Sequence, residues 1–296
     1  MRVNPNPLPD LLAALNQTEL ETQQAELQLS SGRSVNQPSD NPTAAAQLIQ
    51  NNDQAIFNAG YLKSLGVVAG RLSTADATLS SADTVLQQAI NLGVEAANGT
   101  LSSSNRTTIA NQLQAIQNQL VSLANTSYEG TYLFAGTVTN TTPFVLDSSA
   151  PSGISYTGNS DVNHVSAGSG YTLAINVPGS QLFSSPGNDV FLAMNNIIQA
   201  VQSDTGIPAA VVSLTSATNY LSAQQSFYGN ASDQAQSQTN YLTTAKLQIA
   251  VQANAIGGAD VATEASNLAL TQADLQATLD TIGKVTQQNT LFTYIT

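Results

Sequence analysis

His164 is the only histidine among 296 residues, and Asp161 stands three positions before it in a stretch rich in Gly and Ser. A histidine beside a carboxylate is part of an acid–base device, but no paired nucleophile or further metal ligand accompanies this one. The chain contains no Cys, which removes thiolate chemistry and any disulfide framework. Its acidic residues never fall in the Asp-x-Asp-x-Asp spacing of a calcium loop. Gly168-Ser169-Gly170 lies in a strand-rich stretch and opens no helix, so it reads as a turn and not as a phosphate loop. We therefore expect no catalytic residue, no metal and no cofactor. The Tyr132-Leu133-Phe134 run reads as a strand, with a subunit contact as the alternative.

Composition points the same way. Aromatic residues make up 5% of the chain, Trp is absent, and charged residues are only 9%, far below the usual quarter. Polarity is carried instead by Gln, Asn, Ser and Thr, which can hydrogen-bond across a protein contact without the desolvation cost of a charge. The net charge of -12, from 19 acids against 7 scattered bases, excludes a nucleic-acid or anionic-membrane surface as partner. No apolar run is long enough to span a bilayer, and the Pro- and Asn-rich start lacks the apolar segment of a cleavable signal peptide.

The elements that such a chain can build follow from its periodicity. Leu65, Leu72, Leu79, Leu86 and Gly93 recur every seven residues, and Val68, Ala75, Ala82, Ala89 and Ala96 fall three later. This is a helical seam alternating large and small residues, which lets neighbouring backbones approach closely. A second ladder runs through Ile207, Leu214, Leu221, Tyr228, Ala235, Leu242, Ile249 and Ile256. The two ladders predict long antiparallel helical rods. The first starts at Pro42, where Asn41 can cap, and runs to about Asn98; its roughly 55 residues at 1.5 Å rise would make a rod about 80 Å long. Before Tyr61 its seam drifts to Leu48, Ala55 and Leu62, with Ile49 and Ile56 alongside.

Shorter helices flank the rods. Residues 8–30 carry a thin stripe (Leu11, Leu15, Thr18, Thr22, Ala25, Leu29), and a last helix after the Gly257-Gly258 break carries Leu268, Leu275, Leu279, Ile282 and Phe292. Helices with so little to bury are marginal alone and need partners. A third internal helix carries Ile109, Leu113, Ile116 and Leu120, and another follows the Asn188-Asp189 cap. Between them, from Tyr132 to about Ser185, short runs of Thr, Tyr, Val and Ile are punctuated by Gly and Pro, predicting an antiparallel β insert of about 55 residues with its own core. The fold class is mainly α with a β insert. We expect three parts: terminal helices 1–42 with 257–296, a rod domain 43–130 with 186–256, and an insert 131–185.

This nested layout resembles the bacterial flagellin superfamily, and within it the hook–filament junction branch, the hook-associated proteins 3. Three stretches carry the resemblance: Leu29-Ser-Ser-Gly-Arg-Ser-Val-Asn-Gln-Pro-Ser-Asp-Asn-Pro-Thr-Ala-Ala-Ala46, Tyr128-Glu-Gly-Thr-Tyr-Leu-Phe-Ala-Gly-Thr137, and Gln272-Ala-Asp-Leu-Gln-Ala-Thr-Leu279 with Thr290-Leu-Phe-Thr-Tyr-Ile295. Two departures are the Asn- and Pro-rich start and the Phe292-Thr-Tyr-Ile ending, where relatives are usually richer in Leu. The resemblance implies a structural, non-enzymatic role, export of the unfolded chain by the type III route, and assembly outside the cell. Implied partners are identical subunits in a ring, the companion hook-associated protein on the hook side, flagellin on the filament side and a type III export chaperone. The subunit-assembly seam is then Leu11, Leu15, Thr22, Leu29, Leu268, Leu275, Leu279, Ile282 and Phe292. A filament-forming flagellin shares this layout and is the main alternative. A soluble coiled-coil signalling protein, or an enzyme housed in the insert, fits the pattern less well.

Overall fold

The structure, a computed structural model, describes residues 8–287. Its elements in order are α1 (Leu8–Ser31), α2 (Pro42–Ala96), α3 (Ser103–Ala124), β1 (Ser127–Tyr128), β2 (Thr131–Tyr132), β3 (Phe144–Leu146), β4 (Ile154–Tyr156), β5 (His164–Gly168), β6 (Tyr171–Ala174), α4 (Gly179–Leu182), β7 (Ser184–Ser185), β8 (Asn188–Asp189), α5 (Val190–Ser203), α6 (Ile207–Gly257) and α7 (Val261–Gln287). The chain divides into two compact units, residues 1–57 with 245–296 and residues 58–244.

Helix starts follow their caps. The Asn41 side chain accepts from the Ala44 N–H ahead of Pro42, which has no N–H to leave unsatisfied. Ser102 accepts from the Asn105 N–H to start α3, and Asp189 accepts from the Leu192 N–H at 2.8 Å to start α5. Helix α5 ends on Asp204 in the left-handed region, φ 55. Burial raises the Asp189 carboxyl above its ordinary range, against the two backbone N–H groups that favour its charge.

In the unit of residues 58–244 both ladders are core. Leu65, Leu72, Leu79 and Leu86 are buried with the interleaved Val68, Ala75, Ala82 and Ala89, and opposite them lie Ile207, Leu214, Leu221, Tyr228, Ala235 and Leu242. Each fully buried Leu contributes about 1.5–3 kcal/mol of transfer free energy. The helices run antiparallel: Asn58 donates to the Leu242 carbonyl, Gln225 to Asp76, and the Ser222 hydroxyl to Asp83. Beyond the sixth hit, Leu242, the second ladder thins, with Ile249 and Ile256 only half-buried.

Two expectations need correction. Before Tyr61 the buried positions of α2 are Ala44, Asn51 and Asn58, on the same seven-residue register as Leu65, while Leu48, Ala55 and Leu62 are half-buried and Ile49 and Ile56 exposed. The seam keeps its phase and changes residue type instead. The insert is antiparallel as expected, in four separate hairpins, β1–β2, β3–β4, β5–β6 and β7–β8. It has no core of its own, since Phe144, Ile154, Leu173 and Val177 join the same hydrophobic cluster as the ladders. A lone two-stranded hairpin has no second layer to bury against, so each must lie on the helices.

The aromatic centre of that cluster is Phe144, whose ring lies 5.1 Å from Tyr156, 5.1 Å from Phe191 and 5.5 Å from Phe183. Phe134 packs edge-on to Phe183. Leu133 and Phe134 are therefore core residues beyond the end of β2, which stops at Tyr132. From α6, the buried Tyr228 hydroxyl accepts the Val177 N–H at 3.2 Å, pinning the segment after β6. Burial holds that phenol far above its ordinary pKa.

Candidate assembly surface

The chemistry-bearing residues are not assembled into a site. His164 is exposed at the start of β5, its Nδ1 within 3.1 Å of the Val162 carbonyl. Asp161 is engaged instead with Asn159 and Thr137. Among the described residues no group of three His, Asp or Glu side chains is arranged to hold a metal ion. No helix among the described residues is long and apolar enough to cross a membrane. Arg71 is a half-buried cation whose guanidinium donates to Thr131 Oγ1 and the Tyr132 carbonyl, while its Nε finds no partner. Desolvation lowers its pKa.

The predicted seam lies in the other unit, where α1 packs against α7. Their ends are joined by paired loops: the Ser34 N–H donates to the Gly257 carbonyl, the Ala259 N–H to the Gly32 carbonyl, and Arg33 bridges Gly258. Gly32 takes φ 66 at the end of α1, a conformation glycine adopts without strain. Asp260 caps α7 by accepting from the Ala262 and Thr263 N–H groups and the Thr263 hydroxyl, and these bonds hold its carboxyl below the ordinary range.

What this pair buries is little. Thr22 and Ala25 are the buried residues of the 24-residue α1, whereas α3, with 22 residues, buries seven. Thr22 satisfies its hydroxyl by back-bonding to the Thr18 carbonyl at 2.7 Å. Of the other predicted seam residues, Leu11, Leu15 and Leu29 on α1 and Leu268, Leu275 and Ile282 on α7 are only half-buried, and Leu279 is 45% exposed. Phe292 falls outside the described residues. Beside the seam a groove of about 420 Å³ is lined by Glu21, Gln24, Gln28, Glu264, Asn267 and Leu270.

The sequence reading missed a second apolar set. Leu12, Leu20 and Leu27 on α1 are 49%, 61% and 43% exposed, and Leu270 on α7 is 64% exposed. Their spacing of eight and seven along α1 was the available signal, masked by the neighbouring stripe that faces α7. A helix pair with apolar residues on its partnered face and more on its free faces is suited to lateral association with further helices.

Comparison with known proteins agrees with the geometry. Residues 9–139 match the family described as the bacterial flagellin N-terminal helical region. A protein described as a flagellar hook-associated protein, from Vibrio parahaemolyticus, is similar over 74% of this chain and 99% of its own, with a TM-score of 0.68 and 21% identity. Flagellar hook-associated protein 3 from Legionella pneumophila gives a TM-score of 0.61 at 15% identity, covering 70% of this chain and 97% of that one. The flagellar junction protein FlgL from the same organism gives 0.56 at 16% identity, covering 64% and 99%. Comparison with curated protein sequences finds no match. The expected flagellin-type resemblance and the mainly helical fold with inserted strands are both borne out: residues 9–139 match the flagellin N-terminal helical region, and the fold is similar to that of the flagellar hook-associated proteins.

Proposed function

We propose that this chain is a structural axial component of the bacterial flagellum that joins hook to filament, and that it works by assembly and not by catalysis. The observation that carries the reading is the α1–α7 pair, which leaves Leu12, Leu20, Leu27 and Leu270 exposed on a fold shared with hook-associated proteins. Identical subunits in a ring cover these residues; a companion hook-associated protein lies on the hook side and flagellin on the filament side. Residues 1–42 with 257–296 serve as the inner assembly domain, 43–130 with 186–256 as the rod domain, and 131–185 as the insert. The chain leaves the cell unfolded by type III export with a dedicated chaperone, and the terminal helices order on assembly.

Deleting the chain tests this. Cells without it are expected to build hooks, release flagellin into the medium and carry no filaments; filaments of normal length would refute the junction role. The flagellin match over residues 9–139 favours one second reading, a filament subunit. Purified chain that polymerises alone into long filaments would establish that alternative.

A further inference from the structure

We propose that Asn98, in the turn between α2 and α3, is a site of spontaneous deamidation built into the folded chain, independent of the role proposed above. Asn98-Gly99 is the only Asn-Gly pair in the sequence, and both residues are exposed. A Cβ added at Gly99 would meet nothing within 4 Å, so the turn has room to move. Among the described residues the Gly99 N–H donates to no backbone carbonyl, which leaves this nitrogen open to water and to deprotonation.

The electrophile is prepared as well. Asn98 Oδ1 accepts from the Thr100 N–H at 3.2 Å and from the Thr100 hydroxyl at 2.9 Å. That turn folds the side-chain amide forward along the chain towards Gly99, and it places two donors on the oxygen that becomes negative when the amide carbon is attacked. The Gly99 nitrogen, having given its proton to water or hydroxide, bonds to Asn98 Cγ. The Cγ–Nδ2 bond then breaks, and ammonia leaves with a proton taken from water. The resulting succinimide ring is opened by one water molecule at either carbonyl, giving aspartate or isoaspartate. No oxidant or cofactor takes part.

Asn159-Ser160 supplies an internal contrast. Asn159 Nδ2 donates to Thr137 Oγ1 and to Asp161 Oδ2, so its leaving group is tied down and its side chain held. At position 98 the product places a carboxylate at the C-terminal end of α2, where the helix dipole is already negative and Glu95 lies one turn back. The isoaspartate form also lengthens the backbone by one methylene between two turn bonds, Asn98 N–H to Glu95 and Leu101 N–H to Asn98. The Leu101 carbonyl in turn holds Arg106, which pairs with Asp204 at 3.3 Å.

The test is prolonged incubation of the purified full chain at neutral and mildly alkaline pH, followed by mass spectrometry of the tryptic peptide Leu72–Arg106 and isoaspartate methylation. Expected is amide-to-acid conversion at Asn98 that quickens with pH, while Asn159 keeps its amide. Gly99→Ala should all but abolish the conversion, and Thr100→Val should slow it several-fold. An intact Asn98 amide after a free peptide spanning residues 94–104 has converted would overturn the proposal. So would conversion as fast at Asn159 as at Asn98, or an unaltered rate in Thr100→Val.

Discussion

Gly93 occupies the ladder position one heptad after Leu86, and its hydrogen takes the place of a side chain. A Cβ there would lie 2.4 Å from Ile197 Cδ1 and 2.9 Å from Val211 Cγ2, and Ile197 is fully buried in α5. Gly66 lies on the same helix in the same unit, is exposed, and would present a Cβ to nothing within 4 Å. Replacing either by Ala relieves the glycine penalty of a helix interior, about 1 kcal/mol. Crowding at Gly93 costs about 1–3 kcal/mol on top. Gly66→Ala should therefore stabilise by about 1 kcal/mol, and Gly93→Ala should range from neutral to about 2 kcal/mol destabilising. The helix contribution cancels between them, so their difference isolates the crowding. Urea unfolding followed by far-ultraviolet circular dichroism measures it. Ile197→Val removes the nearest atom, so the double variant with Gly93→Ala should lose less than the sum of the single changes. Equal stability of the two glycine variants, or no relief in the double variant, would show that α5 does not close on α2 at this point.

Leu275→Asp puts a charge into the half-buried α1–α7 seam; the urea transition of residues 58–244 should be unchanged while incorporation into flagella is lost, as scored by motility and immunoblots of purified flagella. Tyr228→Phe strands the buried Val177 N–H and should cost about 1–3 kcal/mol, and ultraviolet titration of the wild type should show this phenol ionising only on unfolding. Asp189→Asn retains a capping side chain and removes a charge that burial disfavours. Because the folded pKa of Asp189 lies above the unfolded one, the penalty is full at neutral pH and fades as pH falls through the folded value. The variant should thus be more stable than wild type at neutral pH, with a margin that shrinks towards acid pH in parallel unfolding series.

The ladders were legible because a seven-residue repeat survives whatever the surrounding polarity, and Leu65 to Leu86 and Ile207 to Leu242 all proved buried. Asn51 and Asn58 were not, since a polar residue in a core position carries no hydrophobic signal; only the structure shows Asn58 donating to the Leu242 carbonyl. Phe144–Leu146 and Ile154–Tyr156 form strands inside the stretch whose short β-favouring runs predict an antiparallel insert. The strand His164–Gly168 was hidden by its small residues. The common aromatic centre was also hidden, because Phe134, Phe144, Phe183 and Phe191 come from four separate segments and no local period links them. On the α1–α7 pair, Thr22 is buried and Leu11, Leu15 and Leu29 are half-buried, whereas the exposed Leu12, Leu20 and Leu27 emerged only once the pairing of α1 with α7 showed which face was left over.

The four hairpins between α3 and α5 each close their main-chain ladder within themselves. In a continuous sheet, lengthening one strand would disturb the pairing of the next; here, extra residues in the β3–β4 connection, Asp147 to Gly153, need not alter the register of Val165 against Leu173. The region behaves as a row of separate pegs set into one helical board. New surface can be added at a peg's tip by insertion while Phe144 and Leu173, at the roots, keep their seats in the core.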